Sequence, residues 1–149
     1  MAQPGGNLTG FANFEPAIIG KWLELLKEVA PHVTRVGILR YGDGLAGFLP
    51  MLETLAPSFG IEAFDISVRS TAELERAVAV FAAQSNAGLI VLPDPHFTFQ
   101  RRLIGGLAAK HRIPTVYPFS QFVVDGGLLS YGVNQLEPFR QAAFYINRR

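Results

Sequence analysis

The stretch Gly88-Leu89-Ile90-Val91-Leu92-Pro93-Asp94-Pro95 decides the fold. Four large apolar residues follow one another between a glycine and a Pro-Asp-Pro stop. A strand with one wet face alternates apolar and polar residues, whereas an unbroken run suits a strand covered on both faces, as in a parallel sheet. Pro93 and Pro95 have no N–H to give to a ladder, so the strand ends beside them. Asp94 and His96 are thereby placed at its carboxyl end, where ligands bind in open α/β sheets. One segment thus proposes both the core and the site.

Working outward, the flanking segments alternate between strand and helix patterns. Upstream, Val36-Gly37-Ile38-Leu39 reads as a second buried strand, leading into Tyr41-Gly42-Asp43-Gly44. A helix over 46–58 carries Phe48, Leu52 and Leu55, with Pro57 limiting it and Gly60 as a cap. Residues 61–68 form a strand, and Ser70-Thr71-Ala72-Glu73 has the capping-box pattern that opens a helix bearing Leu74, Ala77, Val78 and Phe81. Downstream, a helix is expected over 99–111, then a short strand at Pro114–Tyr117 stopped by Pro118, and another at Leu128–Tyr131. Towards the amino end, Ile19, Trp22, Leu23, Leu26 and Val29 recur at helical spacing after Pro16, and Leu8–Phe11 suits a short strand. A last helix is expected over Glu137–Arg148. The alternation gives an α/β fold, a three-layer α/β/α sandwich on a mostly parallel, doubly wound sheet. Residues 32–120 form the self-contained lobe, with 1–31 leading in and 121–149 leading out.

Composition narrows the function. The chain has 149 residues, 49% hydrophobic and 17% charged, which describes a folded domain with a sizeable core. A formal charge of +1 and a pI near 8.1 are too balanced to point to nucleic acid or an acidic membrane surface. There is no cysteine, which removes disulfides, thiolate catalysis and thiolate-bound zinc. No apolar run approaches the roughly 18 residues of a membrane span. The first residues, Met1-Ala-Gln-Pro-Gly-Gly-Asn7, lack the basic start and apolar segment of a signal peptide, so export by that route is not expected for the chain as written.

Three motifs bear on chemistry. Gly42-Asp43-Gly44-Leu45-Ala46-Gly47 spells GxGxxG between a strand and a helix, with Asp65 about 20 residues on, the context of a dinucleotide fingerprint. This makes an NAD(P)-binding enzyme domain using Gly42, Gly44, Gly47 and Asp65 the alternative reading. The bland counterpart is a flexible glycine loop, which the offset from the strand end and Pro50 favour. Asp94, His96 and Ser120 are the residue types of a hydrolase triad, but no G-x-S-x-G elbow exists. His32, His96 and His111 lack metal-ligand spacing. A non-catalytic binding site fits better: Tyr41, His96, Phe97, Phe99, Tyr117, Phe119, Phe122 and Tyr131 lie at or just after strand ends, with Asp43 and Asp94 as polar anchors. About half of these aromatics are expected to be core.

Gln3–Phe11, Lys21–Glu28, Leu89–Pro95 and Gly126–Gly132 together resemble one family, in order and over essentially the whole chain. It is the ABC-transporter substrate-binding proteins of the type I periplasmic-binding fold, in the branch similar to tryptophan/tyrosine-type binding proteins. The resemblance implies two lobes joined by three crossovers, of which this chain looks like the second, a truncated product or isolated lobe. It implies no catalysis and no cofactor, and as partners a small organic solute and a membrane permease. Full-length members are implied to be periplasmic; without a signal peptide the fragment is expected to stay cytoplasmic. Second-lobe contacts carried over by position are Tyr41, Gly42, Asp43, Asp94, His96, Phe97, Phe119 and Ser120, with Asn13, Phe14 and Tyr131 near the hinge. The sequence departs from the family pattern over Arg40–Gly47, where an Asn-Pro and a longer loop are usual. A lobe on its own is expected to expose the apolar faces of the last helix and of the lead-in, and so to form a homodimer or swapped assembly. An effector-sensing lobe of a transcription regulator shares the fold, but the chain has no helix-turn-helix or basic face for DNA.

Overall fold

The computed structural model describes residues 17–124 and 129–130. Helix α1 (Ala17–Val29) opens the described chain, followed by β1 (Arg35–Tyr41), α2 (Leu49–Leu55), β2 (Glu62–Val68), α3 (Thr71–Ala82) and β3 (Ala87–Val91). Next come α4 (Pro95–Phe99), α5 (Arg101–His111), β4 (Thr115–Tyr117), α6 (Ser120–Val124) and β5 (Leu129–Ser130). The strands form one five-stranded sheet in the order β2-β1-β3-β4-β5, and every pairing is parallel. The expected doubly wound α/β sandwich is therefore the fold.

The unbroken apolar run reads as it should. All five residues of β3 are buried, and its side chains divide between two cores. Ile90 and Leu92 join α1 and α2 on one face, with Val36, Ile38, Leu52 and Val116. Leu89 and Val91 join α3, α5 and α6 on the other, with Leu74, Val78, Phe81, Ile104, Tyr117 and Phe122. The winding explains the division: β1 connects outward to β2 and β3 outward to β4, so crossovers of one hand put their helices on opposite faces. Gly88 makes room for α1 and the residues after it, because a Cβ there would lie 3.0 Å from Val33 Cγ1 and 3.2 Å from Leu26 Cδ2.

Local signals set the helix ends. Ser70 caps α3, its hydroxyl accepting from the Glu73 N–H at 3.2 Å. The Glu73 carboxylate reaches back to the N–H of Arg69, one residue before the cap, at 2.6 Å. The segment expected as one helix over 46–58 is three pieces, 3-10 turns at Ala46–Phe48 and Ala56–Phe59 around α2. Pro50 sits in the first turn of α2, where its missing N–H costs nothing. Gly60, left-handed at φ 70, closes the segment by donating to Pro57 O at 3.0 Å.

Two expectations change. The boundary at residue 32 does not separate α1 from the lobe: Ile19, Trp22, Leu23 and Leu26 are all 0% exposed within the α1–α2 core. The apolar face of this lead-in helix is therefore covered by the sheet and is not free to recruit a second chain. The helix expected from about Phe99 is α5, starting at Arg101, and a separate short helix, α4, precedes it from Pro95, because Asp94-Pro95 is an N-cap followed by a proline at the first helical position. The expected strand at 8–11, Asn13 and Phe14, Tyr131 and the helix over 137–148 lie outside the described residues, and with that last helix lies the dimer expected through it.

Because α1 is part of the core, truncating Trp22 should unfold the lobe rather than loosen an appendage. Trp22→Ala is expected to cost about 3–5 kcal/mol in urea unfolding. A loss well under about 1 kcal/mol would show that α1 is dispensable to the lobe.

Candidate functional site

The strand order reverses between β1 and β3, since β1 leads to β2 on one side and β3 to β4 on the other. Chains leaving the two carboxyl ends diverge there and open the crevice in which doubly wound sheets bind ligands. The segments at this point are Tyr41–Leu45 after β1 and Leu92–Phe97 after β3. They are tied at their roots by Leu92 N–H donating to Leu39 O at 2.9 Å.

An aromatic ladder rises there from the core. Phe97 is 0% exposed and meets the half-buried Tyr41 ring edge-on, with centroids 6.0 Å apart. Tyr41 in turn stacks on His96, with centroids 3.9 Å apart and planes 4° from parallel. The Tyr41 hydroxyl donates to Arg69 O at 3.1 Å, which fixes the ring's far end. The imidazole is fixed by Asp94, whose Oδ1 lies 2.9 Å from His96 Nδ1 and accepts the His96 backbone N–H at 2.8 Å. With Asp94 ionised, the ring proton resides on Nδ1, leaving Nε2 as an acceptor. Asp94 Oδ2 has no hydrogen-bond partner among the described residues, and an ideal Cβ on Gly44 would lie 3.6 Å from it. The site therefore combines an exposed, pinned ring with carboxylate and imidazole acceptors, the mixture of flat apolar wall and few polar anchors that small organic ligands use.

The glycine loop beside it is held from below. Gly42 is left-handed, φ 57, a conformation that a side chain would strain. Its N–H donates to Val68 O at 2.8 Å, and its carbonyl accepts from Ser67 Oγ at 2.6 Å and from Arg40 Nη1. Arg40 also donates from Nε and Nη2 to the two carboxylate oxygens of Asp65, at 2.7 and 2.8 Å. Hydrogen bonding to Asp65 raises the guanidinium pKa further above its ordinary value; burial opposes this, and the charges of Asp65 and Asp43 add to it. Asp43 is turned outward, paired with Arg69 at 2.9 Å in full solvent view.

The site residues expected from the sequence divide accordingly. Tyr41, Gly42, Asp43, Asp94 and His96 are brought together at the switch point. Phe97 is core, and supports Tyr41 instead of facing a ligand. Phe119 is 8% exposed in the same core, beside the stacked Tyr117–Phe122 pair at 5.0 Å, and Ser120 is exposed at the start of α6. The nucleotide fingerprint is not assembled. Asp65 is engaged by Arg40, and the loop leads into a 3-10 turn and a seven-residue α2 instead of a helix starting flush with the glycines. Sequence reasoning does not single out Arg40; the signal that marks it is an arginine near the end of a buried strand, with an acid on the neighbouring strand two residues before its register partner Ser67. No group of three His, Asp or Glu side chains among the described residues could hold a metal ion, and His32 is exposed.

A concavity of about 490 Å³ lies elsewhere, between β2 and α3, lined by Asp65, Ser67, Arg76, Val80 and Phe81. It is a groove along the edge strand β2, whose Asp65 and Ser67 also brace Arg40 and Gly42. The switch point is the better candidate, because it brings the stacked Tyr41–His96 pair, Asp94 and the glycine loop to the place where strand order reverses. No described helix is long and apolar enough to cross a membrane.

Comparison with known proteins fits this geometry. A family model described as ABC transporter substrate binding protein matches residues 1–148. Similar solved structures include an ABC domain in complex with L-Trp from Streptococcus pneumoniae, at TM-score 0.79 and 23% identity, covering 96% of this chain and 49% of that one. The ligand-free, open structure of CD0873, a substrate binding protein with adhesive properties from Clostridium difficile, is similar at TM-score 0.71 and 21% identity, covering 98% and 50%. A conserved domain protein from Vibrio cholerae is similar at 0.79 and 22%, covering 97% and 48%. This chain thus spans about half the length of the structures it matches. Comparison with curated protein sequences finds no significant match.

One titration follows from this end of the sheet. Burial raises the pKa of Tyr117, and its hydrogen bond with Thr115 lowers it by less. A folded-state value above the unfolded one means that the neutral phenol stabilises the fold fully below the ordinary tyrosine value of about 10. That contribution is lost as pH rises from there through the raised value. Urea unfolding across alkaline pH should show this decline, and Tyr117→Phe should flatten it. Ionisation of Tyr117 at the ordinary tyrosine value, seen as phenolate absorbance lost in Tyr117→Phe, would contradict the assignment.

Proposed function

The chain belongs to the family of ABC transporter substrate-binding proteins, and we propose that it is one solute-binding lobe of an importer's binding protein. In this reading the face carrying Tyr41, Gly42, Asp43, Asp94 and His96 forms one wall of a cleft. The solute is a small organic molecule, an amino acid or an aromatic compound, and the further partner is the membrane permease that receives it. The reading assigns no reaction and no cofactor to the lobe, and its place of work is outside the cytoplasmic membrane.

The observation that carries it is the pinned Tyr41–His96 stack beside Asp94 at the reversal of strand order. The His96 ring, held by half-buried Tyr41 on one face and by a carboxylate on its edge, loses little entropy when a planar or amine-bearing solute settles on it. That a similar protein is in complex with L-Trp supports a solute of this size and chemistry. Coverage of about half of each similar structure supports an opposing lobe that supplies the second wall, with hinge closure excluding water. A single wall should therefore bind weakly.

Thermal unfolding of this chain, and of the chain joined to an opposing lobe, should be followed with amino acids, aromatic acids and dinucleotides. A solute is expected to raise the midpoint of the two-lobed form, with little effect on this chain alone. Tyr41→Ala and Asp94→Ala should each weaken the two-lobed response about tenfold in solute concentration. Stabilisation of this chain alone by NAD or NADP, abolished by Gly44→Val, would overturn the reading.

A further inference from the structure

Among the described residues the buried charged residue is Arg40, 9% exposed at the end of β1. Its partner Asp65 is exposed, and an ion pair with one member open to water adds little stability. Arg40 does something an apolar pair cannot. Its planar guanidinium spans both oxygens of Asp65 at 2.7 and 2.8 Å and still has Nη1 to donate to the carbonyl of Gly42. Asp65 is the anchor on β2, and the fork geometry fixes the direction of the remaining N–H. Ser67, two residues along the same face of β2, donates to the same carbonyl at 2.6 Å.

Gly42 is where β1 becomes the cleft loop. Its carbonyl is held twice and its N–H once, in a left-handed conformation that sends Asp43 outward to Arg69. The next turn closes with Gly44 N–H on Tyr41 O at 3.1 Å and brings Gly44 alongside Asp94 Oδ2. We propose that Arg40 is a positioning residue for the cleft: footed on Asp65 and assisted by Ser67, it fixes the Gly42 carbonyl and so holds the Asp43–Gly44 turn against Asp94 before any solute arrives. The proposal rests on the solute-binding reading for its purpose, and its geometry is testable without a solute.

The test is amide hydrogen exchange by NMR on the whole 149-residue chain, comparing Gly42 and Gly44 with Leu89, whose N–H donates to Pro114 O in the sheet at 2.8 Å. Arg40→Gln is expected to speed exchange at Gly42 and Gly44 about tenfold or more and leave Leu89 unchanged. Ser67→Ala should do the same to a smaller extent, because the Arg40 donor remains; it carries the test if Arg40→Gln does not fold. An equal rise at all three amides, which a merely stabilising ion pair would give, overturns the proposal. So does no rise at Gly42 and Gly44.

Titration of the chain joined to an opposing lobe with L-tryptophan, followed by amide shifts at the Asp43–Gly44 turn, separates this from the reading it rests on. Weaker binding to Arg40→Gln than to the wild type supports the positioning role. Equal binding to both overturns that role while the solute reading stands. Binding to neither, with exchange at Gly42 and Gly44 raised as expected, upholds the loop clamp and counts against the solute reading.

Discussion

A parallel strand with no wet face must find a layer of helix on each side, and β3 is that strand here. Ile90 and Leu92 enter the layer of α1 and α2, while Leu89 and Val91 enter the layer of α3, α5 and α6. From this demand follow the two cores, the winding in both directions from the centre of the sheet, and the reversal of order between β1 and β3. The hydrophobic term behind it is non-directional, so backbone specifics select the arrangement. Gly88 lets α1 approach, and Pro93 and Pro95 end the strand where the crevice must open.

The site draws on the same architecture. A stacked pair of rings in water is a weak interaction, worth about 0.5–1.5 kcal/mol beyond its buried area. Here it is rigid because each ring has a second attachment: Tyr41 to Phe97 and Arg69, His96 to Asp94. Asp94 has two tasks in one side chain, capping α4 and orienting the imidazole, and keeps one oxygen without a described partner. The glycine loop is disciplined in a comparable way from β2. Rigidity of this kind is what a binding wall needs if affinity is not to be spent on ordering it.

Much of this was legible in the residues. The unbroken run at 89–92, the Ser70–Glu73 cap and the helical spacing of Ile19, Trp22 and Leu26 are local patterns, and each marks its element. Asp43, Asp94, His96 and Tyr41 could be placed at one edge because strand ends collect on one side of a parallel sheet. What stayed hidden depends on register across strands. The meeting of Arg40 with Asp65, 25 positions apart, requires β1 and β2 to be in their actual alignment. That pairing is also why the GxGxxG spelling misleads: the acid that would mark the ribose is committed elsewhere. Asp94-Pro95 reads as a strand stop, and the same two residues also start a helix. Whether α1 belonged to the lobe turned on packing against the sheet, which periodicity alone does not reveal.

The claim at the centre of this account is the location of the binding wall. Mapping backbone amide shifts while the chain is titrated with an amino-acid panel tests it directly. The account predicts changes concentrated at Tyr41–Gly44 and Asp94–Phe97, however weak the binding. Changes concentrated instead along Asp65–Val68 and the facing side of α3, in the groove at the edge of the sheet, would contradict it.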